Sequence, residues 1–460
     1  MSTPDYTTLV QGQRSYFKAG KTRPVAWRVE QLKAIKAMME ANRNAIREAL
    51  WHDLRRNETD ADLMDIDLNI NEAEFALKHL RRWMKPRREA TPLMLEPGHV
   101  RVRRDPLGVT LIIGAWNEPF MLTVGPLVSA IAAGNTAVVK PSEVSEASAA
   151  VVAEMIPKFL DPEAVAVVTG AVPETTALLE QPWDLIFFTG SPAIGKVIHQ
   201  AAAKHLTPTV LELGGKSPTI VHSSADLKAA ARRIAYGRFS NSGHICTAPD
   251  HVLVWPEVKD EFVVRLKEAI HDFYGDDPKA SPDYGRIINR RSFDRLAGLI
   301  SNGTVAAGGE TDAGELYIAP TVLVDVPLDS QIMQEEVFGP ILPVLEIDSV
   351  EKVIDWVNER PAPLGVYIFC ADESVVDAVL ERTSSGDACV NDCALHPLVP
   401  QLPFGGVGNS GMGKYHGHWG FEAFTNARGV LYHSPLLDPG VRYPPYSERK
   451  LERKIMKKLM

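Results

Sequence analysis

The chain reads as an α/β protein with two sheet-bearing domains and a small extended hairpin element. Three observations predict this. Its 460 residues exceed what one compact core holds, so two or three domains are expected. From Leu107 onward, short apolar runs alternate with helix-length stretches, which implies parallel strands covered by helices. After Gly214 the alternation starts afresh, which marks a second unit.

In chain order, residues 24–85 read as helical. Trp27, Val29, Leu32, Ile35, Met38 and Met39 recur at helical spacing, and Leu63, Ile66, Ile70, Ala73, Leu77 and Leu80 alternate steps of three and four. Pro92, Pro97 and Gly98 break that pattern, and Val100-Arg-Val102-Arg then alternates as in a short hairpin. Strand-like runs follow at 109–113, 136–139, 164–168 and 184–188, with helical stretches at 120–133 and 147–159. Each run is short and most are closed by Gly or Pro, which fits strands better than buried helices. Beyond Gly214, strands are expected at 219–221, 251–254 and 321–326, and helices at 226–239 and 258–273. The tail from Tyr443 is polar and basic, with Leu451, Ile455 and Leu459 on one face of a terminal helix.

Composition removes several function classes. A net charge of -9 argues against a general nucleic-acid binder, because phosphate backbones demand basic surface. Four cysteines are no disulfide framework, so a reducing compartment such as the cytoplasm is expected. Cys389 and Cys393 stand near His396, but no second ligand pair has zinc-like spacing, and no metal site is expected. The first residues lack a basic-then-apolar leader, and no apolar run approaches the ~20 residues of a membrane span.

Chemistry concentrates in a few motifs. Cys246 lies in Ser-Gly-His-Ile-Cys-Thr-Ala-Pro, and Glu212 in Leu-Glu-Leu-Gly-Gly-Lys. A thiol and a carboxylate set among small residues suggest a nucleophile and a base in one pocket. Phe-Phe-Thr-Gly190-Ser191-Pro-Ala-Ile-Gly195-Lys follows an apolar run and opens a helix, where free N–H groups suit a phosphate; the glycines let backbone approach and Ser191 can donate. Gly406-Val-Gly408-Asn-Ser-Gly411 matches a dinucleotide fingerprint literally. It follows no strand and opens no clean helix, so it reads as a tight loop. Val-Val-Lys140-Pro-Ser-Glu143 closes a strand at its carboxyl end, where ligands of open α/β sheets bind. Lys140 and Glu143 suit ribose hydroxyls, and the Glu disfavours a 2′-phosphate, hence NAD over NADP.

Together these segments resemble the aldehyde dehydrogenase superfamily. Gly114-Ala-Trp116-Asn117, Glu335-Glu336-Val-Phe338-Gly-Pro and Leu-Pro-Phe404-Gly-Gly extend the match over nearly the whole chain. Phe17-Lys-Ala-Gly-Lys-Thr-Arg-Pro, Val390-Asn391-Asp392 and Arg442-Tyr-Pro-Pro-Tyr make it closest to the short class 3 type, which forms dimers. The resemblance implies a variant Rossmann-type NAD-binding domain (1–86 and 107–213), an α/β catalytic domain (214–415), a β-hairpin oligomerisation element (87–106 and 416–440) and a tail (441–460). It also implies a likeness in chemistry: NAD(P)-dependent oxidation of aliphatic or aromatic aldehydes to acids through a thiohemiacetal and a thioester on Cys246. Asn117 and the Cys246 N–H would hold the oxyanion, and Glu212 would be the base, with Glu336 the alternative. Lys140 and Glu143 would meet the adenine ribose, Gly190 and Ser191 the pyrophosphate, and Trp116, Glu336 and Phe338 the nicotinamide side. NAD is the expected cofactor, with NADP possible; the partner is a small aldehyde, and the protein is expected to be a homodimer without a stable membrane anchor. Some class 3 members end in a hydrophobic anchor that this tail lacks.

Against the family pattern, Glu118 stands where Tyr is common, His244 where Gln is usual, and Thr247 replaces an apolar residue. His244 is expected as a tuned neighbour or a hydrogen-bonded loop residue, and Thr247 as a shaper of the tunnel. Phe404 fits a core position or the substrate funnel, and Asn391 a loop. The competing reading is a cofactor-independent cysteine esterase or hydrolase, which needs a His base paired with Cys246.

Overall fold

A computed structural model describes residues 5–435, 442–445 and 454. The predicted terminal helix face of Leu451, Ile455 and Leu459 lies outside the described residues.

The amino-terminal helical stretch is several helices, chiefly Val25–Ala41, Arg43–Leu54 and Asp67–Trp83. Leu32, Ile35, Met38, Met39 and Leu80 are fully buried in one core, as their spacing requires. The predicted continuity from 24 to 85 is interrupted at Asn42 and fails at two further places. Arg55 takes a left-handed conformation at the end of Arg43–Leu54, and a π turn spans Asp62–Ile66. No Gly or Pro marks either break; tertiary contacts impose them.

The first sheet has six strands. Five run parallel in the order Thr209–Leu213, Leu185–Gly190, Val109–Ile113, Thr136–Lys140, Val165–Val167, and the two-residue strand Gly411–Met412 adds antiparallel beside Thr209–Leu213. Their near-continuous Val, Ile, Leu and Phe content follows from burial on both faces. The second sheet has seven strands, ordered Thr304–Ala307, Thr321–Val324, Ile341–Glu346, His251–Val254, Pro218–Val221, Gly365–Phe369, Asp387–Val390; only the first pairs antiparallel. A third, three-stranded antiparallel sheet joins Arg87–Glu89, His99–Pro106 and Thr425–Tyr432.

The parallel arrangement matters because it gathers carboxyl-terminal strand ends on one edge. Lys140, Gly190 and Leu213 end their strands there. The 406–411 segment forms the expected tight turn, with a 3-10 turn at Gly408–Ser410 leading into Gly411, whose register partner is Glu212. Phe404 is buried in the core against Tyr415 and His416. Asn391, with φ 57°, shapes a loop by accepting from Cys370 N at 3.0 Å. Among the described residues, no helix is long and apolar enough to cross a membrane.

Candidate active site

One cavity of about 500 Å³ runs along the carboxyl edge of the first sheet. Trp116, Asn117, Lys140, Glu143, Gly190, Ser191, Glu212, Cys246, Glu336 and Phe338 all line it, so the residues to which the resemblance gives catalytic or cofactor roles converge there. Glu212 is 4% exposed and so is no surface residue.

At one end, Lys140 Nζ donates to Glu143 Oε2 at 2.6 Å and to the Pro141 carbonyl at 3.2 Å. Lys140 is buried whereas Glu143 faces solvent. Further along, Ser191 caps the helix Pro192–Ala203 by accepting from Ile194 N at 3.4 Å, which leaves its hydroxyl proton free to donate. Gly195 departs from its predicted part: a Cβ there would lie 2.6 Å from Leu213 Cδ2, so this glycine lets helix and strand pack rather than facing the cleft. Gly214 sits against Glu336, where a Cβ would lie 2.0 Å from Oε2. Ile194 and Val197, each about half exposed, with Val172 form an apolar wall of the cavity. Exposed apolar side chains gathered in a cleft fit the flat ring of a ligand. The donor set, the helix amino terminus and this wall together fit a dinucleotide.

At the other end, Cys246 opens to the cavity. Its neighbours oppose the thiolate. Burial pushes the thiol well above its ordinary range, and the carboxyls of Glu118, Glu336 and Glu212 push it further; its own backbone N–H acts the other way. A thiol resting as an anion, the usual expectation for such a nucleophile, is therefore not what these side chains supply. The carboxyls shift too. Burial raises Glu336 to about 8 and Glu118 to about 7, and pushes Glu212 well above the carboxylate range. The two candidate bases differ in their contacts. The Gly215 N–H beside the Glu336 carboxyl lowers it, whereas neither Glu212 oxygen has a hydrogen bond.

Asn117 Nδ2 donates to the His244 carbonyl at 2.9 Å, which ties this amide to the loop two residues before the nucleophile. Trp116, His244 and Phe338 pack edge to face or tilted, with centroids 5.0 to 5.9 Å apart. Phe338 does so with φ 45°, a strained value for a bulky residue. The His244 ring has no hydrogen bond at either nitrogen, and burial followed by Arg56 lowers it to about 3. Its ring is a neutral packing group and no base for a His-assisted hydrolase, while its backbone makes the loop's hydrogen bonds, the carbonyl accepting from Asn117 Nδ2 and Asn241 Nδ2. Thr247 is buried, with its carbonyl accepting from Tyr367 Oη at 2.5 Å.

Several residues here carry no sequence signal. Lys216 pairs with Asp250 and donates to the Ile332 and Glu335 carbonyls, each at 2.8 Å, while Asp250 Oδ1 accepts from Val337 N at 2.9 Å. Together they hold the segment that presents Glu336 and Phe338. Lys216 lies inside the quoted Leu-Glu-Leu-Gly-Gly-Lys motif, yet its partners are more than thirty residues away.

With this geometry in place, comparison with known proteins is decisive. Residues 1–430 match the aldehyde dehydrogenase family. The chain belongs to the aldehyde dehydrogenase family. It is 46% identical over 97% of its length to the "Aldehyde dehydrogenase, dimeric NADP-preferring" of Mus musculus, covering 99% of that protein. It is 45% identical over 98% of its length to "Aldehyde dehydrogenase family 3 member B1" of Bos taurus, covering 97% of it. The solved "Substrate bound state of Staphylococcus Aureus AldH" superposes with a TM-score of 0.96 at 39% identity, covering 99% of this chain and all of that one. The class 3 resemblance thus holds, and the chain is an NAD(P)-dependent aldehyde dehydrogenase that oxidises aldehydes to acids.

Glu118 exerts the largest effect of any charge on the thiol, and it stands in the sequence as a departure without a role. Glu118→Gln removes that charge, so the pH midpoint for alkylation of Cys246 by iodoacetamide should fall. An unchanged alkylation profile would contradict the electrostatic coupling.

Proposed function

We propose that Cys246 is the nucleophile, Glu212 the deacylation base and Asn117 the oxyanion donor of this aldehyde dehydrogenase. What carries the reading is the convergence of these side chains on one cavity whose other end suits a dinucleotide. Cys246 Sγ, its proton released to water in the cleft, adds to the aldehyde carbon and forms a thiohemiacetal anion. The developing oxyanion takes hydrogen bonds from the Asn117 amide and the Cys246 N–H, each such donor being worth ~10²–10³ in rate. When bound, the nicotinamide supplies a hydride acceptor and a positive charge. Once the aldehyde hydrogen has left, the acyl group is held on Cys246 as a thioester. Glu212 then takes a proton from water, which attacks the acyl carbon and frees the acid.

Glu212 is preferred over Glu336 because its two oxygens are unpartnered and available to a water. Glu336, with the Gly215 N–H beside it, is read as a contact of the nicotinamide-side ribose, with Trp116 and Phe338 beside the ring. Lys140 and Glu143 are read as the adenine-ribose contacts, with Glu143 favouring NAD, and Gly190 and Ser191 as the pyrophosphate contacts. We assign cofactor binding to residues 1–86 and 107–213, catalysis to 214–415, and oligomerisation to 87–106 with 416–440. The last element supports a homodimer: among the described residues Thr425–Tyr432 is the edge strand of its sheet, paired on one side with His99–Pro106, and Leu431 and Tyr432 on it are half exposed. The four free thiols favour a reducing compartment, and we place the protein in the cytoplasm, which fractionation of expressing cells tests.

Glu212→Gln should give a rapid first turnover of NADH and then a steady state slower by about 10²-fold or more, whereas Glu336→Gln should chiefly raise the KM for cofactor. A burst that survives only in the Glu336 variant would reverse the two assignments. Glu143→Gln should improve KM for NADP relative to NAD about tenfold, since one negative charge near a 2′-phosphate is removed; an unaltered ratio of the two KM values counts against the ribose assignment. Sedimentation of the wild-type chain should report twice the chain mass, and Leu431→Asp should shift it towards the monomer. A wild-type monomer would remove the role given to that sheet.

A further inference from the structure

We propose that Arg56, held by Asp65 and Asn241, is a positioning residue for the oxyanion site: a buried clamp that fixes the Asn117 amide and the Cys246 loop in one orientation. This rests on reading Asn117 as an oxyanion donor.

Arg56 is 3% exposed and Asp65 is fully buried, and their side chains form an ion pair. Arg56 reaches no substrate; its guanidinium donates instead to the Asn117 carbonyl and, through Nε, to Asn241 Oδ1 at 3.3 Å. Asn241 Nδ2 donates to the same Asn117 carbonyl at 2.9 Å and to the His244 carbonyl at 3.2 Å. Asn117 Nδ2 closes the ring by donating to that His244 carbonyl. The Asn117 peptide is therefore gripped by two donors, and one of its two amide hydrogens is committed. The direction of the second hydrogen is then set by the planar amide, and it is the one left for an oxyanion.

Both ends of the clamp show that it is imposed at a cost. Asp65 lies within the π turn Asp62–Ile66, an arrangement frequent at functional sites. Its Oδ1 accepts from Phe120 N and Met121 N at 2.9 and 3.0 Å, at the start of the helix that follows Asn117. Asn241, Ser242 and Gly243 are three successive left-handed residues, with φ 49°, 50° and 75°, just before the nucleophile. Asn tolerates that conformation and Ser pays more for it, so side-chain bonds must over-determine the loop. An ion pair whose carboxylate caps one strand of contacts and whose guanidinium grips the other joins Asn117 and Cys246 into one rigid body. Misplacement of a catalytic donor by a fraction of an ångström is enough to lose most of its effect.

The test measures kcat, aldehyde KM and cofactor KM on the full-length enzyme, per titrated Cys246 thiol. Arg56→Lys keeps the charge but loses the fork, and Asn241→Asp keeps the shape but loses both donations. Each should lower kcat about 10- to 100-fold, Asn117→Ala should lower it ~10²–10³-fold, and cofactor KM should stay within about twofold in all three. If the clamp acts through Asn117, either variant combined with Asn117→Ala should be no slower than Asn117→Ala alone. Losses that multiply in the double variants, or single variants that lose only thermal stability while kcat per thiol is unchanged, overturn the proposal. Should Arg56→Lys not fold, the Asn241→Asp pair decides by the same criterion. A fully active Asn117→Ala would sink the oxyanion reading and the clamp with it, a result distinct from multiplying losses, which sink the clamp alone.

Discussion

Everything at this site is shaped by the removal of water from ionisable groups. Cys246, Glu212 and Glu336 share one cavity with Glu118 close behind it, and burial is the largest cause of the shift for each of them. The three carboxyls add to the penalty that burial sets on the thiolate. Around the thiol the protein answers with cations that do not line the cavity, Lys140 lying at its far end. Arg56 lowers Glu118, and Lys216 and Arg238 lower Glu336, while Asp250 raises Glu336. A cation in direct contact with the sulfur would favour the thiolate but would also compete with an aldehyde for it. Placing the cations one layer back leaves the cavity free and still limits the penalty of burying the carboxyls.

Much of this architecture was legible in the sequence, and the reason is physical. The strands Val109–Ile113, Thr136–Lys140 and His251–Val254 are short, apolar on both faces and closed by loop residues, so period and length identify them without tertiary information. Cys246, Glu212 and Asn117, which line one cavity, were legible as candidates because they sit in motifs with glycine and small residues, where backbone geometry restricts the choice. The strands Gly365–Phe369 and Thr425–Tyr432 carried no equally clear mark. The second is exposed along most of its length, so it lacks the alternation that a half-buried strand writes into its sequence.

What stayed hidden was long-range and electrostatic. Nothing near Arg56 in sequence signals that it reaches Asn117, sixty-one residues away. The π turn at Asp62–Ile66 leaves the helical period of its apolar residues nearly intact, so periodicity read straight through it. The protonation of Cys246 was also out of reach. A thiol among small residues suggests an accessible, ionised nucleophile, but only the folded chain shows that three carboxyls act on it and that His244, two residues away in the loop, is neutral.

That neutral histidine clarifies why the chemistry takes this form. A cysteine hydrolase depends on a permanent imidazole partner to hold its thiol as an ion pair. Here the imidazole is spent on packing against Trp116 and Phe338, which shape the cavity wall, and its nitrogens meet no acceptor. The side chains around the sulfur offer it no such partner, and burial with the neighbouring carboxyls disfavours its thiolate. A positive charge entering the cavity acts the other way, and the apolar wall, the helix amino terminus and Lys140 suit that cavity to a dinucleotide.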